Sequence, residues 1–298
     1  MEHYLAFDIG GTAVKHGLVD GEGNVLQSGS FPTPAEGPAL LGNMRRVYET
    51  YAAAFPVSGV AVSSPGAVDC DRKISRGLSA VGYIQDAPLG QELSRLLDGL
   101  PVEMENDGNC AGLGEVWTGA AREKNDIVCI TCGSGIGGAI IKNRRVHKGA
   151  SNNGGEFGYF LMPGLLPNQM WFWNDFAPVH IVQRYNQDQN RALNGKQLAE
   201  LAREGDPTAV RYMEEVYFHI AWGCVNIHAL YDPELILLGG AISNDHDILP
   251  KVQRYVDQWL QEKHAFLKPT IQVCQHRSNA NLIGAVYHFL IRRAENTH

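Results

Sequence analysis

The chain of 298 residues carries a net charge of −7 and has a pI of about 5.9. This length is typical of one large or two medium domains. The acidic balance disfavours nucleic acid or an anionic membrane as a partner. The first residues, MEHYLAFDIG, lack the basic and apolar segments of a signal peptide, and no segment approaches the roughly 20 apolar residues of a membrane span. We therefore expect a cytoplasmic protein.

Two segments, residues 4–31 and 127–149, share one pattern of an apolar strand, a glycine-rich turn, a second strand, a polar turn and a third strand. An antiparallel meander used twice predicts a duplicated α/β architecture with a cleft between the halves. In chain order, the other segments predict a helix at 39–55, a strand at 57–64, helices at 87–97, 109–120, 195–204 and 207–231, a strand at 234–240, a helix at 247–263, a strand at 270–276 and a helix at 281–294.

The boundary between the halves is expected near residues 116–126, where WTGAAREKND separates the two meanders. We therefore expect an N-terminal domain of residues 1–118 and a larger C-terminal domain of residues 119–279. The last helix, about residues 280–298, is expected to pack back on the first domain.

The six cysteines are scattered through apolar segments, which is typical of reduced thiols in the core of a cytosolic protein. Cys129 and Cys132 form a CxxC motif, but they lie in IVCITC, which alternates like a strand. Residues i and i+3 of a strand point to opposite faces, so this pair is not expected to share a metal ion or a disulfide.

The first meander contains Asp8, Gly10, Gly11 and Thr12 at the reversal between its first two strands. Glycines let the backbone approach a phosphate closely and present its N–H groups. Thr12 adds a hydroxyl donor, Lys15 is close enough to reach a phosphate, and Asp8 suits a water-mediated Mg²⁺ contact. The alternative is an ordinary hairpin with a solvated lysine.

The second meander contains Gly133, Ser134 and Gly135 in a sequence that formally matches the G-x-G-x-x-G dinucleotide fingerprint. That fingerprint requires a helix after the glycines, whereas AIIKNRRV reads as a strand and a turn. A Rossmann dehydrogenase is therefore a weak alternative. Two glycine-rich hairpins, one per half, instead predict a clamp on the two sides of a polyphosphate.

The segment ENDGNC follows an apolar strand and opens a helix. Asp107 at this corner is favoured in its ionised form by the helix N-terminus and can accept a proton from a sugar hydroxyl. Asn106 can donate and accept hydrogen bonds to neighbouring hydroxyls. The alternative is a plain N-cap that only terminates the strand.

Two further glycine-rich motifs lie in the second half. The segment NNGGEFGY contains Glu156, a carboxylate suited to vicinal sugar hydroxyls, and Tyr159, with a flexible surface loop as the alternative. Gly239 and Gly240 end a very apolar strand and offer a backbone wall for adenosine or ribose. A tight turn is the alternative.

The ordered set of these motifs resembles the ROK family of repressors, open reading frames and sugar kinases, within the actin/Hsp70/hexokinase fold. The matching segments span nearly the whole chain: AFDIGGTAVKHGLV, VSSPGAVD, VEMENDGNCAGLGE, ITCGSGIGGAIIKNRRVHKG, NNGGEFGY, LILLGGAIS and NANLIGAV. The resemblance implies two RNase-H-like domains with an interdomain cleft that closes over sugar and nucleotide.

The resemblance also assigns roles. Asp107 matches the catalytic base, Asn106 and Glu156 match residues that bind sugar hydroxyls, and Gly66 matches a loop that lines the sugar pocket. The positions that match phosphate and nucleotide binding are Asp8, Gly10, Gly11, Thr12, Gly133, Ser134, Gly135 and Gly239. The implied reaction is direct in-line transfer from ATP with Mg²⁺, with the hexose 6-hydroxyl as the acceptor, and the implied assembly is a homodimer.

The chain departs from the family pattern at Tyr159, where many members have histidine, and in the segment 160–176 that follows. That segment, FLMPGLLPNQMWFWNDF, has neither cysteine nor histidine, so it cannot supply the roughly four ligands of a structural zinc ion. We expect no zinc and a resemblance to the zinc-free branch that includes β-glucoside kinases. Tyr159 can still touch the sugar through its hydroxyl.

The aromatic residues Trp171, Phe172, Trp173 and Phe176 in the same segment have two interpretations. We favour the interpretation that they pack as a hydrophobic staple or line a dimer contact. The alternative is that they stack on a sugar ring or extend the sugar pocket for a disaccharide. The sugar itself is left open.

Two other functional classes fit the same fold. A transcriptional repressor would carry a helix-turn-helix before the kinase-like part, but the first strand is expected to start by His3 or Tyr4. The acidic charge also disfavours DNA binding. A sugar-binding sensor without significant turnover would have lost Asp107 or the glycine hairpins, which are intact here.

Overall fold

The computed structural model describes residues 2–77, 79, 81–163, 169–264 and 266–296. The chain forms two compact units, one of Met1–Glu123, Arg144–Gly154 and Ser278–His298, and one of Lys124–Asn143 and Gly155–Arg277. The sequence placed the boundary at residues 118 and 119, whereas the structure places it a few residues later. The structure also groups residues 144–154 with the first unit, although they directly follow a strand of the second.

The strands in chain order are β1 (His3–Ile9), β2 (Ala13–Asp20), β3 (Val25–Pro32), β4 (Val57–Ser64), β5 (Ala67–Asp69), β6 (Ile74–Arg76), β7 (Val102–Asn106), β8 (Ile127–Cys132), β9 (Ile136–Lys142), β10 (Arg145–Val146), β11 (Leu161–Pro163), β12 (Met170–Phe172), β13 (Leu235–Gly239) and β14 (Ile271–Val273). The α-helices are α1 (Gly37–Ala52), α2 (Leu89–Leu96), α3 (Asp107–Thr118), α4 (Pro178–Gln189), α5 (Gly195–Arg203), α6 (Pro207–Tyr231), α7 (Ile248–Glu262) and α8 (Ala280–Glu295). Short 3-10 helices cover Gly82–Ile84, Phe157–Tyr159, Trp173–Phe176, Ala241–Asn244 and Arg277–Asn279.

The sheet of the first unit has the strand order β3-β2-β1-β4-β7. The meander β1-β2-β3 is antiparallel, while β4 and β7 extend the sheet in parallel with β1. The register sets Asp8 opposite Ser63, and Ser64 opposite Asn106. The carboxyl ends of three neighbouring parallel strands therefore meet at one edge of this sheet.

Helix α8 packs on one face of this sheet and on α3. Its residues Leu282, Val286 and Phe289 are buried in one cluster with Tyr4 of β1 and Cys110 of α3. The two helices approach so closely that a Cβ atom at Gly284 would lie 1.7 Å from the carbonyl oxygen of Cys110. Only glycine permits this approach, which fixes α3 against α8.

The opposite face of the sheet is covered by α1 and α2. Leu40 and Met44 of α1 and Leu93 of α2 are buried in a cluster with Phe7 and Val62 of the sheet. Their burial removes apolar surface from water on this face, as α8 does on the other. The first unit is thus a three-layer α/β structure.

The sheet of the second unit includes the strand order β9-β8-β13-β14, with β8 antiparallel to β9 and parallel to β13. Cys129 and Cys132 of β8 are buried free thiols, as the sequence predicted. The strand β9 directly follows the glycines of residues 133–135, where a dinucleotide fingerprint would require a helix, so the Rossmann alternative is wrong.

The aromatic segment after Tyr159 lies partly in the core of the second unit. Trp173 is 0% exposed and Phe176 is 3% exposed, and both belong to the main cluster beside the long helix α6. Trp171 is partly buried against the same cluster, while Phe172 is 48% exposed. The packing interpretation therefore holds for three of these four residues.

Among the described residues, no helix combines the length and the apolar character that a membrane crossing requires.

Candidate functional site

The predicted site residues divide between the two units, and each group is described within its own unit. In the first unit, Asp8 lies in β1 just before the glycine turn. Its Oδ1 atom accepts hydrogen bonds from Ser63 Oγ at 2.7 Å and from Asn281 Nδ2 at 2.9 Å. These donors fix the carboxylate in one orientation while leaving it an oxygen ligand of the kind that Mg²⁺ prefers. Asp8 therefore fits the proposed metal contact.

The turn between β1 and β2 is tight and exposed. The N–H of Gly10 donates a hydrogen bond to the carbonyl of Ala13 at 3.1 Å. Thr33 stabilises the turn, because its Oγ1 donates a hydrogen bond to the carbonyl of Gly10 at 2.5 Å. Gly11, Thr12 and Lys15 are exposed. Lys15 is the cross-strand partner of Asp8, which places a cation beside the carboxylate on one face of the sheet. This edge offers both a cation and accessible backbone to a phosphate.

Asp107 is the first residue of α3, and Asn106 before it is the N-cap. Asn106 Oδ1 accepts the N–H of Asn109 at 3.0 Å, and its Nδ2 donates to Asp107 Oδ1 and to the carbonyl of Gly66, each at 3.0 Å. Gly66 has φ of +89°, so the loop after β4 needs a glycine at this point. The N-cap interpretation therefore applies to Asn106, which orients the half-buried Asp107.

A buried carboxylate lies directly behind this segment. Glu105 is 1% exposed, and its Oε1 accepts the N–H of Asn106 at 2.7 Å and Nδ2 of Asn109 at 3.1 Å. Lys148 Nζ donates to the same Oε1 at 2.8 Å, and His288 Nδ1 lies 3.5 Å from Oε2. Glu105 therefore ties the start of α3 to the 144–154 segment and to α8.

The charges of this cluster follow from burial and pairing. Burial alone would raise the pKa of the Glu105 carboxyl, but the charge of Lys148 and the hydrogen bonds from Lys148 and the N–H of Asn106 stabilise the carboxylate and lower that pKa. Burial opposes the ammonium form of Lys148, but Glu105 raises the pKa of Lys148. Burial lowers the pKa of His288 to about 4, so this imidazole is neutral at neutral pH. The cluster is a buried ion pair beside a neutral histidine.

Cys70, Glu105 and His288 form a group whose donor atoms lie within 4.8 Å of one another. Such a set can hold a metal ion, but Lys148 Nζ lies 2.8 Å from both Cys70 Sγ and Glu105 Oε1. Burial also raises the pKa of the Cys70 thiol to about 12, so the thiol keeps its proton. The ammonium of Lys148 therefore takes the place that a cation would need.

In the second unit, the glycine-rich turn between β8 and β9 is held by Asn174. The N–H of Gly133 donates to the carbonyl of Gly135 at 2.9 Å, and Asn174 Oδ1 accepts the N–H of Ile136 at 3.0 Å. Ser134 at the tip is exposed. The predicted phosphate hairpin is thus a compact turn in which Asn174 fixes the backbone of its second strand.

Glu156 lies in a cavity of about 270 Å³ next to this hairpin. The residues that line the cavity are Ile136, Glu156, Gly158, Tyr159, Phe172, Asn174 and Asp175. Burial raises the pKa of the Glu156 carboxyl above its usual range. The cavity combines two aromatic rings with carboxylate and amide groups, a set of side chains suited to a sugar ring.

Gly239 ends β13, and Gly240 leads into the 3-10 helix Ala241–Asn244. A larger cavity of about 840 Å³ lies beside this turn. Its walls include Ala241, Ile242 and Met213, with Lys196, Arg203 and Arg277 as basic lining residues. Its size lies within the roughly 300–1,000 Å³ of small-molecule pockets, and its mixture of apolar and basic residues suits a nucleoside with phosphates.

Several of the residues in these arrangements were not singled out from the sequence: Ser63, Lys148, Asn174, Asn281 and His288. Asn281 belongs to NANLIGAV, a segment already matched to the family pattern. A polar side chain on an otherwise apolar helix could therefore have indicated Asn281 as a site residue. Lys148 also lies in a matched segment, ITCGSGIGGAIIKNRRVHKG, but its role and that of His288 appear only when distant segments meet at Glu105.

Known proteins resemble this chain over nearly its whole length. The sequence profile described as the ROK family matches residues 4–291. A β-glucoside kinase from Listeria innocua is 32% identical, and the alignment covers 98% of each chain. A ROK family protein from Streptococcus pneumoniae in complex with sucrose has a TM-score of 0.89 and 31% identity, covering 98% of this chain and 99% of its own. A ROK family glucokinase from Streptomyces griseus in complex with glucose and AMPPNP has a TM-score of 0.80 and 26% identity. The alignment covers 95% of this chain and 97% of the glucokinase chain.

Proposed function

Since this chain belongs to the ROK family, we propose that it transfers the γ-phosphoryl group of ATP to the 6-hydroxyl of a hexose or hexoside, with Asp107 as the general base. The chain has the two-domain actin-like fold of these relatives and is an ATP-dependent sugar kinase.

The observation that carries the proposal is the setting of Asp107. Its carboxylate stands at the N-terminus of α3, where the helix dipole favours the ionised form that a base requires. Asn106 Nδ2 and the N–H of Gly108 both bond its Oδ1 atom, at 3.0 and 2.8 Å. An oriented, ionised and half-buried carboxylate can accept the proton of a sugar hydroxyl as its oxygen attacks phosphorus.

The sugar would be held by polar groups around that hydroxyl. We assign hydroxyl binding to Glu156, whose carboxylate can accept two hydrogen bonds, and to Tyr159 in the same cavity. Asn106 and the Gly66 loop are assigned to the acceptor side, since Asn106 Nδ2 already joins the carbonyl of Gly66 to Asp107. Positioning of this kind turns a bimolecular step into one with oriented reactants.

The nucleotide would be held by the two glycine turns and the larger cavity. We assign the phosphates to the backbone of Gly10, Gly11 and Thr12 with Lys15, and to the turn of Gly133, Ser134 and Gly135. We assign the nucleoside to the cavity beside Gly239 and Gly240, whose lining includes apolar and basic residues. Mg²⁺ bound with ATP would neutralise charge on the phosphoryl oxygens, and Asp8 would hold it through water.

An ADP-release assay over a panel of monosaccharides and disaccharides tests this proposal. We expect sugar-dependent ADP release that requires Mg²⁺, and a product that carries phosphate on its 6-carbon by NMR. Binding of sugars without any ADP release would point instead to a sensor of the same fold. A product phosphorylated at another carbon would refute the 6-hydroxyl assignment.

We also propose that the protein needs no structural zinc and acts as a homodimer. The segment 160–176 has neither cysteine nor histidine, and a structural zinc site needs about four such ligands. The dimer follows only from the resemblance to the family. Metal analysis of the purified protein and light scattering test the two statements, and stoichiometric zinc or a monomer would contradict them.

A further inference from the structure

A third cavity, of about 480 Å³, lies within the first unit. Among the described residues, it shares no lining residue with the cavity of Glu156 or with the cavity beside Gly239. Its walls include residues of α8, of the loop after β5 and of the segment 144–154. The volume lies within the roughly 300–1,000 Å³ of small-molecule pockets. The cavity is therefore a candidate binding site outside the places assigned to sugar and ATP.

Two arginines approach one carboxylate at this cavity. Arg145 Nε lies 3.5 Å from Glu295 Oε1, and Arg292 Nη1 lies 3.9 Å from Glu295 Oε2. All three residues line the cavity, and Arg292 also donates from Nη2 to Asp71 Oδ1 at 2.6 Å. A charge-assisted N–H···O bond measures about 2.7–2.9 Å, so both contacts with Glu295 are loose. A phosphate can replace this carboxylate, because it has more charge and accepts bidentate bonds from guanidinium groups.

Two nitrogen atoms of α8 at the cavity are buried and have no hydrogen-bond partner among the described residues. They are Nε2 of His288 and Nε of Arg292, which belong to lining residues four positions apart. His288 is 6% exposed, and its Nδ1 lies 3.5 Å from Glu105 Oε2. A carboxylate beside Nδ1 favours the tautomer with the proton on that atom, so Nε2 is an acceptor. Buried polar atoms without partners are rare, and a ligand hydroxyl would supply the missing donor.

The other polar groups of the cavity suit hydroxyls better than a second anion. The Glu105 carboxylate is paired with Lys148 Nζ at 2.8 Å, and Asp69 Oδ2 lies 3.5 Å from Arg76 Nη2. Asn152 adds an amide, which both donates and accepts hydrogen bonds. The cavity thus combines one cationic end with a wall of hydrogen-bonding groups.

We propose that this cavity is a second binding site, outside the active site, for a phosphorylated sugar. Arg145 and Arg292 hold the phosphate in place of Glu295. Asn152 and Nε2 of His288 bond the hydroxyls. The hexose 6-phosphate that the proposed reaction would release combines these groups in one small molecule, so the choice of this ligand rests on the proposed function.

Calorimetric titration with glucose 6-phosphate tests the proposal. The full-length protein is held in excess glucose, AMPPNP and Mg²⁺, so that these ligands occupy the proposed active site. We expect one equivalent of glucose 6-phosphate to bind. In Arg145→Gln its Kd should rise about threefold to tenfold, a range that allows for solvent screening of a side chain that is 50% exposed. In Glu295→Gln the Kd should fall, because the competing carboxylate is removed.

Arg122→Gln and Glu123→Gln are the matched controls. These two residues form an exposed pair 3.6 Å apart in the same unit, and neither lines the cavity. Each control repeats the change in net charge of one test variant, and neither should alter the Kd. No binding, or shifts in the controls as large as those in Arg145→Gln and Glu295→Gln, would overturn the site.

Asn152→Gly tests the contacts with the sugar hydroxyls. Asn152 has φ of 60°, which glycine adopts without strain, so the variant loses the amide and keeps the backbone. The Kd of glucose 6-phosphate should rise about threefold or more, since one hydrogen bond is lost, while that of inorganic phosphate should not change. Inorganic phosphate that binds the unaltered protein as tightly as glucose 6-phosphate would overturn the assignment to a phosphorylated sugar.

The calorimetric test needs no turnover, so it is decided separately from the proposed function. If no sugar supports ADP release, the kinase proposal fails. Binding of glucose 6-phosphate that responds in opposite directions to Arg145→Gln and Glu295→Gln would still support the site. If ADP is released but glucose 6-phosphate does not bind beside the occupied active site, the kinase proposal stands and this inference fails.

Discussion

Lys148 Nζ lies 2.8 Å from Oε1 of Glu105, and the same oxygen accepts the N–H of Asn106. The Glu105 side chain is 1% exposed and that of Lys148 is 22% exposed, so water screens this ion pair little. The pair joins the segment before NNGGEFGY to the start of the helix that presents Asp107. The position of the proposed base therefore depends on the ammonium group of Lys148, which lies 43 positions further along the chain than Glu105.

The first prediction concerns Lys148→Met, which keeps an apolar stem but removes the ammonium. The carboxylate of Glu105 would then be buried without its cation, and removing one partner of a buried pair costs about 3 kcal/mol or more. We expect the free energy of unfolding, measured by urea denaturation, to fall by about that amount. We also expect kcat to fall, because Glu105 holds Asn106 and Asn109.

Arg45→Met provides the control for this loss. Arg45 and Glu49 also lie 2.8 Å apart, but their side chains are 52% and 54% exposed. An exposed pair contributes about 1 kcal/mol or less. A loss in Lys148→Met no larger than in this control would contradict a stabilising role for the buried pair. Adding Glu105→Gln to Lys148→Met should restore part of the stability, because it removes the unpaired charge.

The second prediction concerns Asp107→Asn. Asparagine keeps an oxygen that can accept the hydrogen bonds of Asn106 and Gly108, so the fold and the sugar affinity should be retained. The amide cannot accept the hydroxyl proton, and we expect kcat to fall by about 10²–10⁴-fold. Steady-state ADP release with calorimetric sugar binding measures both quantities.

Asp98→Asn removes an equal charge at an exposed turn with φ of 54°, a conformation that asparagine tolerates. It should leave turnover unchanged. Near-normal kcat in Asp107→Asn would remove Asp107 from the role of base.

The third prediction concerns the ionisation of Glu156. Burial raises the pKa of its carboxyl above 4.5, so the folded state holds the proton more tightly than the unfolded chain. Its contribution to the free energy of unfolding is therefore lost as the pH rises from 4.5 through the raised pKa. Glu156→Gln does not ionise, so its stability relative to the wild type should rise across that window. Urea denaturation in steps from pH 4.5 to neutrality measures this difference.

The same variant should weaken sugar binding, because a hydrogen bond to a charged acceptor contributes about 1.5–3 kcal/mol. We expect KM for the sugar to rise by about tenfold or more at neutral pH. A stability difference that does not change with pH would show that Glu156 ionises as freely in the folded chain as in the unfolded one.

The fourth prediction concerns the contact between α3 and α8. An alanine at Gly284 would place its Cβ atom 1.7 Å from the carbonyl oxygen of Cys110. That oxygen belongs to the backbone of α3, so the clash could be relieved only if one of the two helices moved. We expect Gly284→Ala to lower the melting temperature strongly or to prevent folding. Gly42→Ala in α1 is the control, since its Cβ atom would meet nothing within 4 Å. Alanine at Gly42 should stabilise the helix by up to about 1 kcal/mol. Similar melting temperatures for the two variants would contradict this packing argument.

The fold could be read from the sequence wherever its determinants were local. The helix over residues 207–231 and the strand over 57–64 have the bounds that periodicity predicted. Helix α4 was missed because PVHIVQRYNQDQ is largely polar, and only Ile181 and Tyr185 of it are buried. The hairpin β11–β12 was also missed, since its strands have three residues each.

The candidate site could be predicted only in part, for a related reason. Asp107 and Asn106 stand at a strand-to-helix corner that the local pattern already indicated. The partners that hold this corner come from far along the chain. Lys148 is separated from Glu105 by 43 positions, and Asn281 from Asp8 by 273. No local spacing encodes such contacts, which depend on how sheets and helices stack.

Helix α8 has a consequence for how the chain folds during synthesis. It supplies Asn281 to Asp8 and His288 to the neighbourhood of Glu105, and it covers β1 and β4. At a typical elongation rate of about 5–20 residues per second, the ribosome makes the whole second unit, on the order of ten seconds of work, before α8 emerges. The first unit, although begun first, must therefore wait with one apolar face of its sheet uncovered, and the second unit is the one able to complete its core earlier.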